Sequence, residues 1–331
     1  MSAVRAEHDA LLLDLDGTVY AGSAAVPGAL AALRGSAQRL LYVTNNASRS
    51  PREVAVHLAE LGFPAVAGDV VTSAQAAARL LAERLVQGAS VLVVGAPALA
   101  DEISAVGLVP VRDANPTPAA VVQGHSPDTG WRILAEATVA IRAGALWVAT
   151  NTDRTLPSDR GLLPGNGSMV AAVRLATDQE PVVAGKPARP LLEDALARSG
   201  SMTPLVVGDR LDTDIAGARA VGARSLLVLT GVSTPLDLLR APHDQRPDLV
   251  AADLGGLDRP SAELQVGEVD GWSARVEGTV LVFRCVDPEA DAVEGLRAAC
   301  GPAWQDPSWD GLRAEGAGAE AALRSWGIVS C

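Results

Sequence analysis

Two aspartates, Asp14 and Asp16, follow an apolar run and precede a glycine in the stretch ALLLDLDG. The apolar run predicts a buried strand, so both carboxyl groups stand at its carboxyl end. Ligands of open parallel sheets bind beyond that end of the strands. Paired carboxylates there can bind a hard cation, attack an electrophile or transfer a proton. The same sequence could also form a simple turn, because Asp-Gly is common in turns. Whether Asp14 and Asp16 belong to a functional site therefore depends on the residues that follow the other predicted strands.

Three further apolar runs end in polar residues that suit the same chemistry. Thr44 and Asn45 follow LLYV. Lys186 follows VVAG, and Asp209 follows LVVG. Lys186 is the only lysine among 27 basic residues, which indicates a position that needs an ammonium group and not a guanidinium. Because parallel strands bring their carboxyl ends to one edge of a sheet, we expect one cleft with acids, uncharged donors and a single ammonium.

The acids of this predicted cleft require a counter-charge. They are Asp14, Asp16, Asp209, Asp212 and Asp214. Carboxylates a few ångströms apart repel one another and raise one another's pKa unless a cation lies between them. Oxygen ligands without imidazole or thiolate favour Mg²⁺ over Zn²⁺. Such an ion keeps coordination positions open for a substrate phosphate, which the uncharged donors and the ammonium would hold.

Helical patterns alternate with the apolar runs and would position them. The segment SPREVAVHLAELGF has the pattern of a capped helix, with Ser50 as the cap, Pro51 at the first position and Glu53 as the third helical residue. This βαβα order predicts a doubly wound parallel sheet of the Rossmann-like type. The alternation restarts near Val86 and returns near Pro181, so we interpret the middle of the chain as an α/β insertion.

The predicted division of the chain has three parts. Residues 1–83 and 182–258 form the α/β core, 84–181 form an inserted α/β cap, and 259–331 form a small α+β module. The module begins with a hairpin pattern and ends with RAEGAGAEAALRSW, which fits an RxxGxG loop before a helix. That loop is similar to the pyrophosphate-binding loop of GCN5-related acetyltransferases. The module therefore resembles a truncated acetyltransferase, too short to be expected to catalyse.

Together the core motifs resemble the haloacid dehalogenase superfamily of phosphotransferases. The resemblance depends on the DLDGT start, on Thr44, on Lys186 and on the acidic element GDRLDTD, in the family's order, and it spans residues 8–257. It implies that Asp14 is the nucleophile, which forms an aspartyl-phosphate. It also implies that Asp16 is the general acid and then the base that activates water.

The resemblance implies roles for the remaining motif residues as well. The expected metal ligands are the carboxylates of Asp14 and Asp209 and the backbone carbonyl of Asp16. Supporting roles fall to Gly17 and to Asp214, which would orient the water shell of the metal or Lys186. The residues expected to bind the phosphoryl group or the rest of the substrate are Thr44, Asn45, Lys186, and, from the cap, Asn151 and Asp153. The remaining acid, Asp212, is expected to be solvated.

Stretches such as YVTNNAS and GNGSMVAAV narrow the resemblance to phosphatases for p-nitrophenyl phosphate, phosphoglycolate and pyridoxal phosphate, which carry a large α/β cap. This group implies a Mg²⁺-dependent phosphomonoester hydrolase for a small phosphorylated metabolite. Glycerol 3-phosphate is the first expected substrate, because bacterial members with a C-terminal extension act on it. Phosphoglycolate and pyridoxal phosphate are the alternatives. A different class of function would be ligand sensing, with the C-terminal segment binding an acyl-CoA.

The composition of the chain argues against several other classes of protein. The 331 residues carry a net charge of −12 without Lys/Arg-rich runs, so nucleic acid is not an expected partner. No apolar run approaches the ~20 residues of a membrane-spanning helix, and the first residues lack a signal-peptide pattern. Cys285, Cys300 and Cys331 are too few and too irregularly spaced for a disulfide framework or structural zinc. We expect a cytoplasmic protein, and the family resemblance suggests a homodimer.

Overall fold

The computed structural model describes residues 2–158 and 160–328, so Cys331 lies outside the described residues. The described chain forms two compact units. The first contains residues 2–21, 25–39 and 201–328. The second contains residues 22–24 and 40–200, without residue 159.

Strands and helices alternate along most of the chain. The strands are β1 (Ala10–Leu13), β2 (Tyr20–Ala21), β3 (Ala24–Ala25), β4 (Arg39–Thr44), β5 (Val70–Thr72), β6 (Ser90–Val94), β7 (Val109–Val111), β8 (Ala120–Gln123), β9 (Leu146–Ala149), β10 (Thr155–Ser158), β11 (Gly161–Pro164), β12 (Val182–Val183), β13 (Pro204–Gly208), β14 (Arg224–Val228), β15 (Leu249–Ala251), β16 (Ser273–Glu277), β17 (Val280–Arg284) and β18 (Gly311–Glu315). The helices are α1 (Ala29–Leu33), α2 (Pro51–Glu60), α3 (Ser73–Ala82), α4 (Pro97–Ala105), α5 (Trp131–Arg142), α6 (Asn166–Thr177), α7 (Arg189–Ser199), α8 (Ala216–Val221), α9 (Pro235–Leu239), α10 (Ala292–Gln305) and α11 (Ala317–Ser325). None of the helices in the described ranges combines the length and the apolar character needed to cross a bilayer.

Parallel strands form the centre of the first unit, in the order β15-β14-β13-β1. All four residues of β1 are buried, as expected for a continuous apolar run in a parallel sheet that is covered on both faces. The register pairs Leu13 with Val207, and the N–H of Asp14 donates to the carbonyl of Val207 at 2.8 Å. Asp14 and Asp209 therefore follow neighbouring strands at the same edge.

The second unit contains a five-stranded parallel sheet in the order β12-β9-β8-β6-β7, together with the parallel pair of β4 and β5. Helix α2 begins at Pro51, as predicted. The side chain of Ser50 accepts the N–H of Glu53 at 3.3 Å, and the carboxylate of Glu53 accepts the N–H of Ser50 at 2.7 Å. The predicted capping box is therefore confirmed, as is the α/β class of the chain.

The C-terminal segment adds a small three-stranded sheet to the first unit. β16 and β17 form the predicted antiparallel hairpin, and β18 pairs in parallel with β17. The rings of Trp272 and Trp326 stack on Phe283 in its core. The same hydrophobic cluster contains Leu238 of α9 and Val250 of β15. The module therefore shares one core with the edge of the parallel sheet.

Candidate active site

Three carboxylates of the first unit lie close together beyond β1 and β13. One oxygen from each of Asp14, Asp209 and Asp214 lies within 4.8 Å of the other two. Asp209 and Asp214 are 0 % and 1 % exposed, and Asp14 is half-buried. Three negative charges so close together in a buried place strongly disfavour the folded state unless a cation compensates them. Because every atom that could bind a metal in this group is a carboxylate oxygen, the group fits Mg²⁺.

Asp209 is held in place from several sides. One of its oxygens accepts the N–H of Val232 at 2.6 Å, and the other accepts the hydroxyl of Thr18 at 3.3 Å. Gly17 has φ +89°, and a Cβ at this position would stand 2.7 Å from an oxygen of Asp209. The glycine of the DGT motif is thus required both by its backbone conformation and by the closeness of this carboxylate.

Asp214 lies in a π-helical turn, Leu211–Ile215, that follows β13. One of its oxygens accepts the N–H of Arg210 at 3.1 Å, and a side chain on Gly208 would collide with it. From the sequence we expected Asp214 to orient other groups, whereas its carboxylate stands among the three that could bind the ion. Asp212 is exposed and pairs with Arg210 at 2.9 Å, as expected of a solvated acid.

Asp16 differs from these three acids in being exposed. It belongs to a tight turn in which the carbonyl of Leu15 accepts the N–H groups of Thr18, Val19 and Tyr20 at 3.2, 2.9 and 3.1 Å. Its carboxylate is not one of the three in the acidic group. An exposed carboxyl at a fixed turn suits proton exchange with a substrate and water better than it suits metal binding through the side chain.

The remaining predicted residues belong to the second unit. Lys186 follows β12 and is only 2 % exposed, and its Nζ donates to the carbonyl of Val43 at 3.0 Å. Asn45 follows β4, and its Oδ1 accepts the N–H of Lys186 at 2.8 Å. The Nδ2 of Asn45 donates to the carbonyl of Lys186 at 3.0 Å and to an oxygen of Asp153 at 3.2 Å. Thr44 is buried, and its hydroxyl accepts the N–H of Asn46 at 3.1 Å.

Two residues outside the predicted set complete this cluster. The carbonyl of Asn45 accepts the hydroxyl of Ser73 at 2.6 Å and the side-chain amide of Asn151 at 2.7 Å. The side-chain amide of Asn166 in turn donates to the carbonyl of Asn151 at 2.7 Å. Asn166 lies in the stretch GNGSMVAAV, which supported the family resemblance but assigned no role to this side chain. Ser73 carries no sequence signal beyond its place at the start of α3.

Comparison with known proteins gives consistent matches along the chain. Residues 11–109 match a haloacid dehalogenase-like hydrolase model, 183–257 match a second HAD-hydrolase-like model, and 269–328 match a GCN5-related N-acetyltransferase-like domain. D-glycerol 3-phosphate phosphatase from Mycobacterium tuberculosis is 51 % identical over 342 residues, which cover 99 % of this chain and 97 % of the relative.

Solved structures agree with these sequence matches. The crystal structure of glycerol phosphate phosphatase from Mycobacterium tuberculosis in complex with magnesium superposes with a TM-score of 0.95 at 51 % identity, covering 99 % of this chain and 100 % of that chain. The p-nitrophenyl phosphatase from Archaeoglobus fulgidus gives a TM-score of 0.69 at 29 % identity, covering 76 % of this chain and 98 % of that chain.

Proposed function

We propose that this chain, which belongs to the haloacid dehalogenase-like hydrolase family, is a Mg²⁺-dependent phosphatase. It converts glycerol 3-phosphate and water to glycerol and phosphate. The predicted superfamily is confirmed by the family models and by the full-length relative. The observation that carries the proposal is the group of three carboxylates around Asp209, whose charges call for a hard cation. The choice of substrate is supported by the relative's activity on D-glycerol 3-phosphate.

The proposed reaction has two steps, both at phosphorus. A carboxylate oxygen of Asp14 attacks phosphorus, and the ester bond breaks as Asp16 gives its proton to the leaving alcohol oxygen. Asp16, now ionised, takes a proton from water, whose oxygen attacks the aspartyl-phosphate. Phosphate leaves and the Asp14 carboxylate is restored. The half-buried position of Asp14 and the exposed position of Asp16 support this division of roles.

The ion would be held by the carboxylates of Asp14, Asp209 and Asp214, and by the backbone carbonyl of Asp16. When bound, Mg²⁺ neutralises charge on the phosphoryl oxygens and on the surrounding acids. Thr44 and Lys186 are the proposed phosphoryl-binding residues of the second unit. Lys186 supplies a compact positive charge, which an acidic protein needs locally to attract an anionic substrate.

We keep the predicted division into a core (1–83 and 182–258), a cap (84–181) and a C-terminal module (259–331) as part of the proposal. In the proposed cap, Asn151 and Asp153 would contact the alcohol part of the substrate. We also propose that the protein is cytoplasmic, which the free thiols of the buried Cys285 and Cys300 suit. Its proposed pathway is glycerophospholipid metabolism. A homodimer stays a prediction, and light scattering of the purified protein would test it.

A panel of phosphate esters, assayed with and without EDTA, tests the proposal. We expect the highest kcat/KM for glycerol 3-phosphate, ahead of phosphoglycolate and pyridoxal phosphate, and loss of turnover without the metal. Asp14→Asn should lower kcat by at least about a thousandfold, because an amide oxygen is a poor nucleophile. Asp212→Asn is the matched control: its exposed pair with Arg210 contributes little, so kcat should stay within about twofold.

Two results would contradict the proposal in different ways. Turnover of Asp14→Asn at a rate close to that of the unaltered protein would exclude Asp14 as the nucleophile. A higher kcat/KM for phosphoglycolate or pyridoxal phosphate would leave a phosphatase but exclude glycerol 3-phosphate as the main substrate.

A further inference from the structure

We propose that Asn45 is a positioning residue, which fixes Lys186 and Asp153 in one arrangement, and that its side chain does not itself bind the phosphoryl group. The inference rests on the proposed phosphatase function and deepens it. It also revises the expectation that Asn45 contacts phosphate alongside Thr44.

The hydrogen bonds of the Asn45 side chain leave no donor for a phosphate. An Asn amide has two N–H donors on Nδ2 and an oxygen that only accepts. One donor serves the carbonyl of Lys186 at 3.0 Å, and the other serves Asp153 at 3.2 Å. The oxygen accepts the N–H of Lys186 at 2.8 Å, which fixes the orientation of the amide because a backbone N–H can only donate. Phosphate oxygens need donors, and both donors are occupied.

Asn45 bonds to both polar groups of the Lys186 backbone. Gly185 permits this approach, since a Cβ there would stand 2.6 Å from the Oδ1 of Asn45. The other end of Lys186 is held by the carbonyl of Val43, two residues before Asn45. The last part of β4 and the residue that follows this strand therefore set both the ammonium and the backbone of the only lysine in the chain.

The same amide joins this lysine to the Asp153 carboxylate. Asp153 follows β9, and the carbonyl of Asn45 also accepts the side chain of Asn151 from the same segment. One residue thus links the proposed phosphate-binding lysine to the two residues proposed to contact the alcohol. Its loss should change both the rate of phosphoryl transfer and the discrimination between alcohols.

The experiment compares Asn45→Ala and Asn45→Asp with Asn46→Ala in the full-length protein. Asn46 is a matched control, since it is an asparagine of the same loop whose side chain accepts from the N–H and hydroxyl of Ser48. We would measure kcat and KM for glycerol 3-phosphate and p-nitrophenyl phosphate, and hydrogen–deuterium exchange at the Lys186 amide. Asn45→Ala should lower kcat/KM by about 10- to 100-fold and speed exchange, because a buried N–H loses its acceptor.

Asn45→Asp separates positioning from packing. Its carboxylate still accepts the N–H of Lys186, so exchange should stay slower than in Asn45→Ala. It can donate neither to the carbonyl of Lys186 nor to Asp153, and it repels both. In this background Asp153→Asn should cost less activity than in the unaltered protein, because the new amide can donate to the carboxylate introduced at position 45. Direct phosphate binding by Asn45 predicts the opposite: unchanged Lys186 exchange in Asn45→Ala and no compensation by Asp153→Asn.

Two failures are distinguishable. If the unaltered protein hydrolyses no ester of the panel, the proposed function fails, while the exchange data still test the positioning. If the unaltered protein is active and Asn45→Ala matches Asn46→Ala in both kcat/KM and Lys186 exchange, the positioning role is overturned.

Discussion

Replacing Gly17 with alanine should weaken Mg²⁺ binding by displacing Asp209. An alanine Cβ would stand 2.7 Å from one oxygen of Asp209, 2.8 Å from its Cγ and 3.1 Å from its other oxygen. Ordinary contact begins at 3.4 Å, so the carboxylate must move away by about 0.7 Å. The N–H of Val232, at 2.6 Å, and the hydroxyl of Thr18 hold the carboxylate where it is, so the movement also strains these hydrogen bonds.

The expected loss of Mg²⁺ affinity follows from the narrow range of ligand distances that a metal site accepts. Ligand distances in metal sites vary by only about 0.2 Å, and Mg²⁺ is strict about its octahedral geometry. A shift of about 0.7 Å would therefore remove or distort one of three carboxylate ligands. We expect a loss of at least about tenfold in Mg²⁺ affinity, or about 1.4 kcal/mol.

Gly35→Ala controls for the backbone cost of the substitution. Gly35 also has positive φ, +69°, but a Cβ there meets nothing within 4 Å. Both alanines should destabilise the fold by about 1–2 kcal/mol through backbone strain alone. Only Gly17→Ala should weaken Mg²⁺ binding, measured by isothermal titration and by the Mg²⁺ dependence of turnover. Equal Mg²⁺ affinity in the two variants would refute the reasoning.

Two further predictions concern buried polar atoms of the fold. The hydroxyl of Tyr42 is buried without a hydrogen-bond partner in the described chain, and burial raises its pKa to about 12. Tyr42→Phe should therefore raise the free energy of unfolding in urea by up to about 1 kcal/mol, and a fall of that size would contradict the reasoning. His8 donates from Nδ1 to the carbonyl of Thr203 at 3.0 Å, so its buried Nε2 is the basic nitrogen, and burial lowers its pKa below the usual 6.5. The unfolded chain then binds that proton more readily, so stability should fall as the pH drops through 6.5, and His8→Gln should show a smaller fall in Tm between about pH 7.5 and pH 5.5. Equal falls in Tm would exclude His8 as a source of the pH dependence.

The sequence predicts well the residues whose place depends on strand order. Asp14 and Asp209 each follow a continuous apolar run, and parallel pairing of such runs places their ends at one edge whatever the loops between them do. The helix that begins at Pro51 is predictable for a similar reason, since its cap is formed by residues three apart along the chain. Local rules and strand order are sufficient for these elements.

The roles of Asp214 and Asn45 depend on contacts that no local rule describes. Asp214 reaches the acidic group through a π-helical turn, and a regular α-helix would have placed it differently. The bonds of Asn45 depend on where residues more than 100 positions later return, which sequence periodicity does not encode. Their residue types predicted that both side chains belong to the functional site, and only the structure shows which atoms each one contacts.

The C-terminal loop shows the same difference between a motif and its contacts. The RxxGxG pattern suggested a pyrophosphate-binding loop, and residues 269–328 do match an acetyltransferase-like model. However, Arg313 forms ion pairs with Glu277 and Glu315. The N–H groups of Gly318 and Ala319 donate to the carbonyl of Cys285 at 3.1 and 3.2 Å.

The glycines of this loop are likewise explained by internal packing. A Cβ on Gly316, which has φ +95°, would stand 2.5 Å from the carbonyl oxygen of Cys285, and one on Gly318 would collide with the carbonyl of Asp287. Contacts within the module therefore account for Arg313, Gly316 and Gly318 without a bound anion. Binding of an acyl-CoA by this segment stays a prediction. At Asn45, as at Arg313, protein atoms already occupy donors that the motif would assign to a ligand.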